Sequence, residues 1–152
     1  MTSWSQLAED APEFAQRVRE RFDVGTNKTI ATLRRDGSPR ISGTELEFDD
    51  RMVTLGMMPG SRKLADVLRD PRVAIHSPTL EPPAKPSDWA GDAKLSGRLV
   101  AIPPPAGDAP PGAGYFCLDI REAVLTYVDE TETHLIIQSW IEGRGYGELR
   151  RE

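Results

Sequence analysis

Cysteine is almost absent from this chain. Cys117 is its one cysteine, so no internal disulfide can form and no companion set exists for a structural zinc site. A lone cysteine of this kind reads as a small buried hydrophobe rather than a reactive thiol. Histidine is nearly as scarce: His76 ends a candidate strand and His134 starts one, and both read as structural or solvated. No apolar run approaches the ~20 residues of a membrane span. The start, Met1-Thr2-Ser3-Trp4, lacks the basic and apolar regions of a signal peptide, so the expected location is cytoplasmic, with no membrane partner. Positive charge is also in deficit. With 19 Lys and Arg against 24 Asp and Glu, the net charge of −5 excludes a general affinity for nucleic acid or anionic membrane. Any anion site must therefore be local. Asp129, Glu130 and Glu132 cluster at one turn, but they read as a solvated turn, and no metal site is expected.

What is present suits one turn-rich globular domain over residues 1–152. Hydrophobic residues make up 38% and charged residues 28%, and 13 Pro and 13 Gly favour short strands over a helical bundle. Ala11-Pro12, with Asp10 as candidate cap, opens a helix over about 11–22, where Phe14, Val18 and Phe22 recur at helical spacing. Strand patterning begins at Lys28 and runs into Arg35-Asp36-Gly37-Ser38, a hairpin signal. The returning strand spans Arg40 to Phe48, Asp49-Asp50 turns the chain again, and Met52 to Met57 completes an expected three-stranded meander. A short helix follows from Ser61, with Leu64, Val67 and Leu68 on one face, ending at Asp70-Pro71. Strands are expected at Arg72–His76 and Lys94–Ala101, then a final hairpin from Ala123–Val128 to His134–Trp140. Pro78 to Asp92 reads as a surface loop, and the low-complexity stretch 103–114 as mobile. Trp89 reads as an anchor for the first of these, and Trp140 as core or interface. Such a pattern describes a closed or nearly closed antiparallel barrel, with its core over about 28–140.

The chemically informative segment is Gly60-Ser61-Arg62-Lys63, because it puts two cations in the first turn of a helix. Exposed amides already carry partial positive charge there, so each cation is unfavourable by roughly 0.3–1 kcal/mol. Two readings stand. The side chains extend into water, or a bound phosphate compensates, gripped by the Ser61 hydroxyl, the helix amides, an Arg62 fork and the Lys63 point charge.

Residues 28–98, roughly half of the chain, resemble the core of pyridoxamine 5′-phosphate oxidase and its FMN-binding relatives. The matching pieces are Thr29-Ile30-Ala31-Thr32-Leu33 with Arg35-Asp36-Gly37-Ser38-Pro39-Arg40, then Gly60-Ser61-Arg62-Lys63, Arg69-Asp70-Pro71-Arg72-Val73 and Ser96-Gly97-Arg98, in that order. The resemblance implies a mainly β, six-stranded antiparallel split β-barrel with short flanking helices. It also implies a homodimer with cofactor sites at the interface, and oxidoreductase activity on a small organic substrate. By the same resemblance, the cofactor phosphate falls to Ser61, Arg62 and Lys63. The ring system falls beside Arg40, Ile41, Ser42 and Gly43 on one strand and Gly56 and Met57 on another. FMN is the expected cofactor, with coenzyme F420 as the alternative; a non-catalytic flavin, deazaflavin or haem binder is the rival from another class. The oxidase's paired C-terminal Arg and His find no match beyond a weak counterpart in Arg144, so oxidation of pyridoxamine phosphate itself is not implied. No catalytic side chain is expected, because such a cofactor carries the chemistry.

Overall fold

The computed structural model describes every residue except Ala106 and Asp108, which lie within the 103–114 stretch expected to be mobile; that expectation at these two positions falls outside the described residues. Two helices open the chain. The first, α1 (Trp4–Asp10), was not expected, although Ser3-Trp4-Ser5-Gln6 carries its signal. The Ser3 hydroxyl accepts the Gln6 amide while the Gln6 side chain accepts the Ser3 amide, a reciprocal cap. The second, α2 (Pro12–Asp23), buries Phe14, Ala15, Val18 and Phe22, as the spacing predicts. Asp10 is not its cap. It is the last residue of α1, and its carboxylate accepts the Trp140 indole N–H at 2.7 Å, holding the helical layer against the barrel.

The barrel begins with β1 (Lys28–Leu33) and β2 (Pro39–Thr44), antiparallel across the Arg34–Ser38 turn, with Lys28 opposite Thr44 and Leu33 opposite Pro39. The expected return strand to Phe48 breaks at Glu45-Leu46, leaving a two-residue β3 (Glu47–Phe48) that pairs with β4 (Val53–Met57). The expected meander does not form, because β4 pairs with β7 (Gly114–Val128) instead of β2, Thr54 lying opposite Cys117 and Met57 opposite Gly114. A tight turn dictates reversal of direction but not the choice of partner. Here the buried side chains of Val53, Leu55 and Met57 find their counterparts in Phe116 and Leu118 on β7. With β5 (Arg72–His76) and β6 (Asp92–Ala101), the order is β2-β1-β5-β6-β7-β4-β3. The path stays open between β2 and β3, which is the split of the barrel.

The long β7 then pairs its second half with β8 (Leu135–Ile141), which carries β9 (Gly145–Arg151) at the edge. Neither the first half of β7 nor β9 was expected: Gly114 was read as loop, and Gly145-Tyr146-Gly147-Glu148 has little strand propensity. Among the described residues the sheet counts nine strands, and the chain is mainly β with three α-helices. The loop from Pro78 is irregular, as expected, apart from a 3-10 turn at Pro86–Asp88. One apolar cluster unites the layers, centred on Leu7, Phe22, Ile30, Ile75, Ile120 and Leu125; each such buried side chain contributes about 1.5–3 kcal/mol. Cys117 is buried as expected, and burial pushes its thiol pKa up. Among the described residues, no helix is long and apolar enough to cross a membrane, and no group of three or more His, Cys, Asp or Glu is placed to hold a metal.

Two local devices carry testable consequences. The β6–β7 ladder shifts register between Ser96 and Gly97, and a Cβ at Gly97 would collide with the Asp119 carbonyl. Gly97→Ala should therefore lower stability by about 1–3 kcal/mol or more, read from the denaturant midpoint. The second device is Asp129, which is buried rather than solvated and organises the β7–β8 turn. It accepts the Thr131 hydroxyl, the Thr133 and His134 amides, and the Arg150 guanidinium from β9. The Thr131 bond above all, with those amides and Arg150, holds its carboxyl below the ordinary value of 3.8. A depressed carboxylate stabilises fully above its ordinary pKa and loses that contribution as pH falls through the folded value. Asp129→Asn should lower the melting temperature at neutral pH and shrink its acid-side decline, followed by circular dichroism.

Candidate functional site

Helix α3 (Arg62–Arg69) packs on β1 and is bonded to β2, the strand at one end of the open path. Ser61 caps it as expected, its hydroxyl accepting the Leu64 amide at 3.3 Å, and Gly60 precedes it at φ +72°, a left-handed turn that glycine adopts without strain. The buried face differs from the expected one. Leu64 and Val67 are buried, but Leu68 is 70% exposed and its place in the interior is taken by Asp66, which is 2% exposed.

Two side chains stitch α3 to β2. Lys63 Nζ donates to the Gly43 carbonyl at 2.8 Å, and Asp66 Oδ2 accepts Arg40 Nε at 2.8 Å. The same Asp66 oxygen accepts the Thr32 hydroxyl at 2.7 Å, and Oδ1 accepts Arg69 at 3.1 Å. Burial is the largest influence on this carboxyl and pushes its pKa up. The bonds from Arg40, Thr32 and Arg69 together outweigh it and hold the value at about 2. Asp66 is thus an anion with three donors, and no such knot was foreseen. In the sequence Asp66 and Arg69 read as an ordinary helix pair, and nothing signals that Thr32 and Arg40 join them.

The residues singled out from the sequence divide into those brought together and those kept apart. Ser61, Arg62 and Lys63 form the first turn of α3 and its cap, Gly43 is bonded to Lys63, and Arg40 is anchored one helical turn further along. Arg62 is exposed and makes no hydrogen bond or ion pair among the described residues. Ser42 shares the face of β2 that carries Arg40 and is half-buried, whereas Gly43 falls on the opposite face with Ile41. Ile41 points to the other side of that strand, 75% exposed, and lines a shallow groove of about 280 Å³ with Thr29, Ala31 and Ala74. Met57 sits in the core at 3% exposure, so only its backbone is available beside α3.

Gly56 opens onto a cleft of about 690 Å³, walled by Tyr115, Ile102, Pro103 and Pro105 with Glu45 and Glu47. The Tyr115 ring stands against Gly56, 3.0 Å from where a Cβ would lie. None of the other eight candidate residues lines this cleft, so the cation turn and the large cavity are neighbouring rather than identical features. The loop bearing Trp89 lines a separate hollow with Arg21 and Pro78, away from Gly56. The histidines serve local structure: His76 Nδ1 donates to the Ser77 carbonyl at 2.6 Å, and His134 Nδ1 meets the Thr133 hydroxyl at 2.7 Å.

Neither a family model nor a curated protein matches the sequence. Solved structures do. A pyridoxamine 5′-phosphate oxidase-related, FMN-binding protein from Nostoc punctiforme superposes with TM-score 0.67 at 10% identity, over 97% of this chain and 99% of its own. PhzG from Burkholderia lata, in complex with tetrahydrophenazine-1-carboxylic acid, gives 0.66 at 12% identity, over 93% and 89%. An F420 reductase gives 0.54 at 14% identity, over 69% of this chain and 94% of its own. With its open β2–β3 seam, its helix bonded to β2 and these superpositions, the chain has the split-barrel fold of the pyridoxamine 5′-phosphate oxidase-like, FMN-binding proteins.

Proposed function

We propose that this chain is a cytoplasmic FMN-binding oxidoreductase acting on a small organic substrate, with the cofactor phosphate held at the start of α3. The observation that carries this reading is the pair Arg62 and Lys63 at the positive end of a helix, one of them exposed and unpaired among the described residues, the other fixed to the β2 edge. The donor set fits a phosphate. The helix-start amides, an exposed guanidinium and an ammonium supply charge-assisted donors, and no acidic residue stands in that first turn to compete. Bound there, FMN would supply hydride or electron-pair transfer at its central ring. The chain's own residues would bind and orient. Arg40, Ser42 and Gly43 would border the cofactor on one side and the Gly56 and Met57 backbone on the other, and the cleft against Tyr115 would leave room for substrate. The F420 reductase match keeps F420 as the second reading.

The same proposal includes a homodimer with the site at the interface. Ile41, Met58 and Leu68 are 75%, 74% and 70% exposed, on or beside the elements that carry the site, and covering them would remove apolar surface from water. Sedimentation should give a dimer, and Ile41→Asp should shift it toward monomer with weaker cofactor binding. A monomer that binds cofactor tightly overturns the shared site.

Fluorescence titration with FMN and with F420 tests the cofactor. Arg62→Ala and Lys63→Ala should each remove about 1.5–3 kcal/mol, weakening binding roughly tenfold to a hundredfold. Arg72→Ala is the control, since Arg72 is paired with Asp70 at 2.7 Å and should leave affinity unchanged. Arg69 cannot serve as a second control, because it is part of the Asp66 knot. Binding of haem in place of both cofactors would refute the redox reading.

A further inference from the structure

The knot at Asp66 is asymmetric, and the asymmetry concerns Arg40. Arg69 donates from one terminal nitrogen both to Asp66 Oδ1 and to the Leu33 carbonyl, at 3.1 and 2.8 Å, and so closes the end of α3 onto β1. Arg40 is held differently. Its Nε alone meets Asp66, and both of its terminal nitrogens are without a partner among the described residues, although the side chain is only 19% exposed. A guanidinium fixed through Nε keeps its end-on fork available, the geometry that receives a phosphate in a bidentate manner.

Position agrees with this. Arg40 lies three residues from Gly43, whose carbonyl holds Lys63, and Asp66 lies three residues from Lys63, so β2 and α3 run antiparallel past each other at the phosphate end. Four residues of helix separate Asp66 from Arg62, about 6 Å along the axis, within the span of an arginine side chain. Charge agrees as well. Asp66, Arg40 and Arg69 sum to one positive charge, and Arg40 is the member with donors to spare.

We propose that Asp66, itself oriented by Thr32, is a positioning residue that holds Arg40 by Nε so that its terminal nitrogens form a third cationic contact to the cofactor phosphate, beside Arg62 and Lys63. This rests on placing the phosphate at the start of α3. A purely structural knot would tie α3 to the hairpin without discriminating between a phosphorylated ligand and its phosphate-free counterpart.

The test compares FMN with riboflavin in fluorescence titrations of the full chain, for the parent, Arg40→Ala, Asp66→Asn and the double variant. Arg40→Ala and Asp66→Asn should each weaken FMN about tenfold more than they weaken riboflavin, and the double variant should be no weaker than Arg40→Ala alone, as expected when one residue acts through the other. Equal losses for FMN and riboflavin with Asp66→Asn, or losses that add in the double variant, overturn the proposal. If Asp66→Asn fails to fold, Thr32→Val carries the test, with a smaller loss, again greater for FMN than for riboflavin, expected and equal losses for both ligands counting against it. If the chain takes F420, that cofactor and its phosphate-free deazaflavin replace the flavin pair. Loss of FMN affinity on Arg62→Ala and Lys63→Ala but not on Arg40→Ala defeats this inference alone. Indifference to Arg62→Ala and Lys63→Ala defeats the phosphate placement beneath it.

Discussion

An open strand edge is the constraint on which the rest of this molecule depends. β2 has a strand neighbour on one side only, and the path around the barrel stops at β3 without returning to it. A bare edge invites pairing with other chains and leaves backbone groups unsatisfied, so proteins cover it. Here two side chains of α3 reach it, Lys63 on the Gly43 carbonyl and Asp66 on the Arg40 guanidinium. Fastening the start of a helix to a sheet edge brings helix amides, two cations and strand backbone into one small region. The candidate phosphate site is thus a by-product of how the barrel fails to close.

The electrostatics of that region run against the chain as a whole. A net charge of −5 disfavours anions at long range, yet the first turn of α3 carries no acidic residue. The one nearby carboxylate, Asp66, is buried beneath the surface and already has three donors. Removing one member of a buried ionic group leaves the others uncompensated, typically at about 3–5 kcal/mol. The knot therefore fastens α3 and keeps the negative charge of Asp66 paired beneath the surface.

The long β7 strand sets where the large cleft lies. Its first half pairs with β4 and its second half with β8, while β6 follows almost its whole length across the irregularity at Gly97. That arrangement sends the chain after β6 past Gly56, so Ile102, Pro103 and Tyr115 wall the cleft rather than the Trp89 loop. The cleft follows from strand pairing over long sequence distances.

Local physics made much of this protein legible from its residues. Period-two and period-3.6 patterning located β1, β5, β6 and α2, the Asp36-Gly37 turn located the first hairpin, and Ser61 located the start of α3 with its misplaced cations. These are properties of neighbouring residues, and they survive in any fold. The reciprocal Ser3–Gln6 cap of α1 is equally local. What only the tertiary structure decided are the pairings between distant segments: β4 with β7 instead of β2, the weakly patterned β9 on β8, and the Thr32–Arg40–Asp66–Arg69 knot. The β1–β2 hairpin sets Thr32 opposite Arg40, but neither carries a mark of Asp66, which is 34 and 26 residues further on. Their meeting is set by which apolar faces the barrel must bury, and that is a property of the whole chain at once.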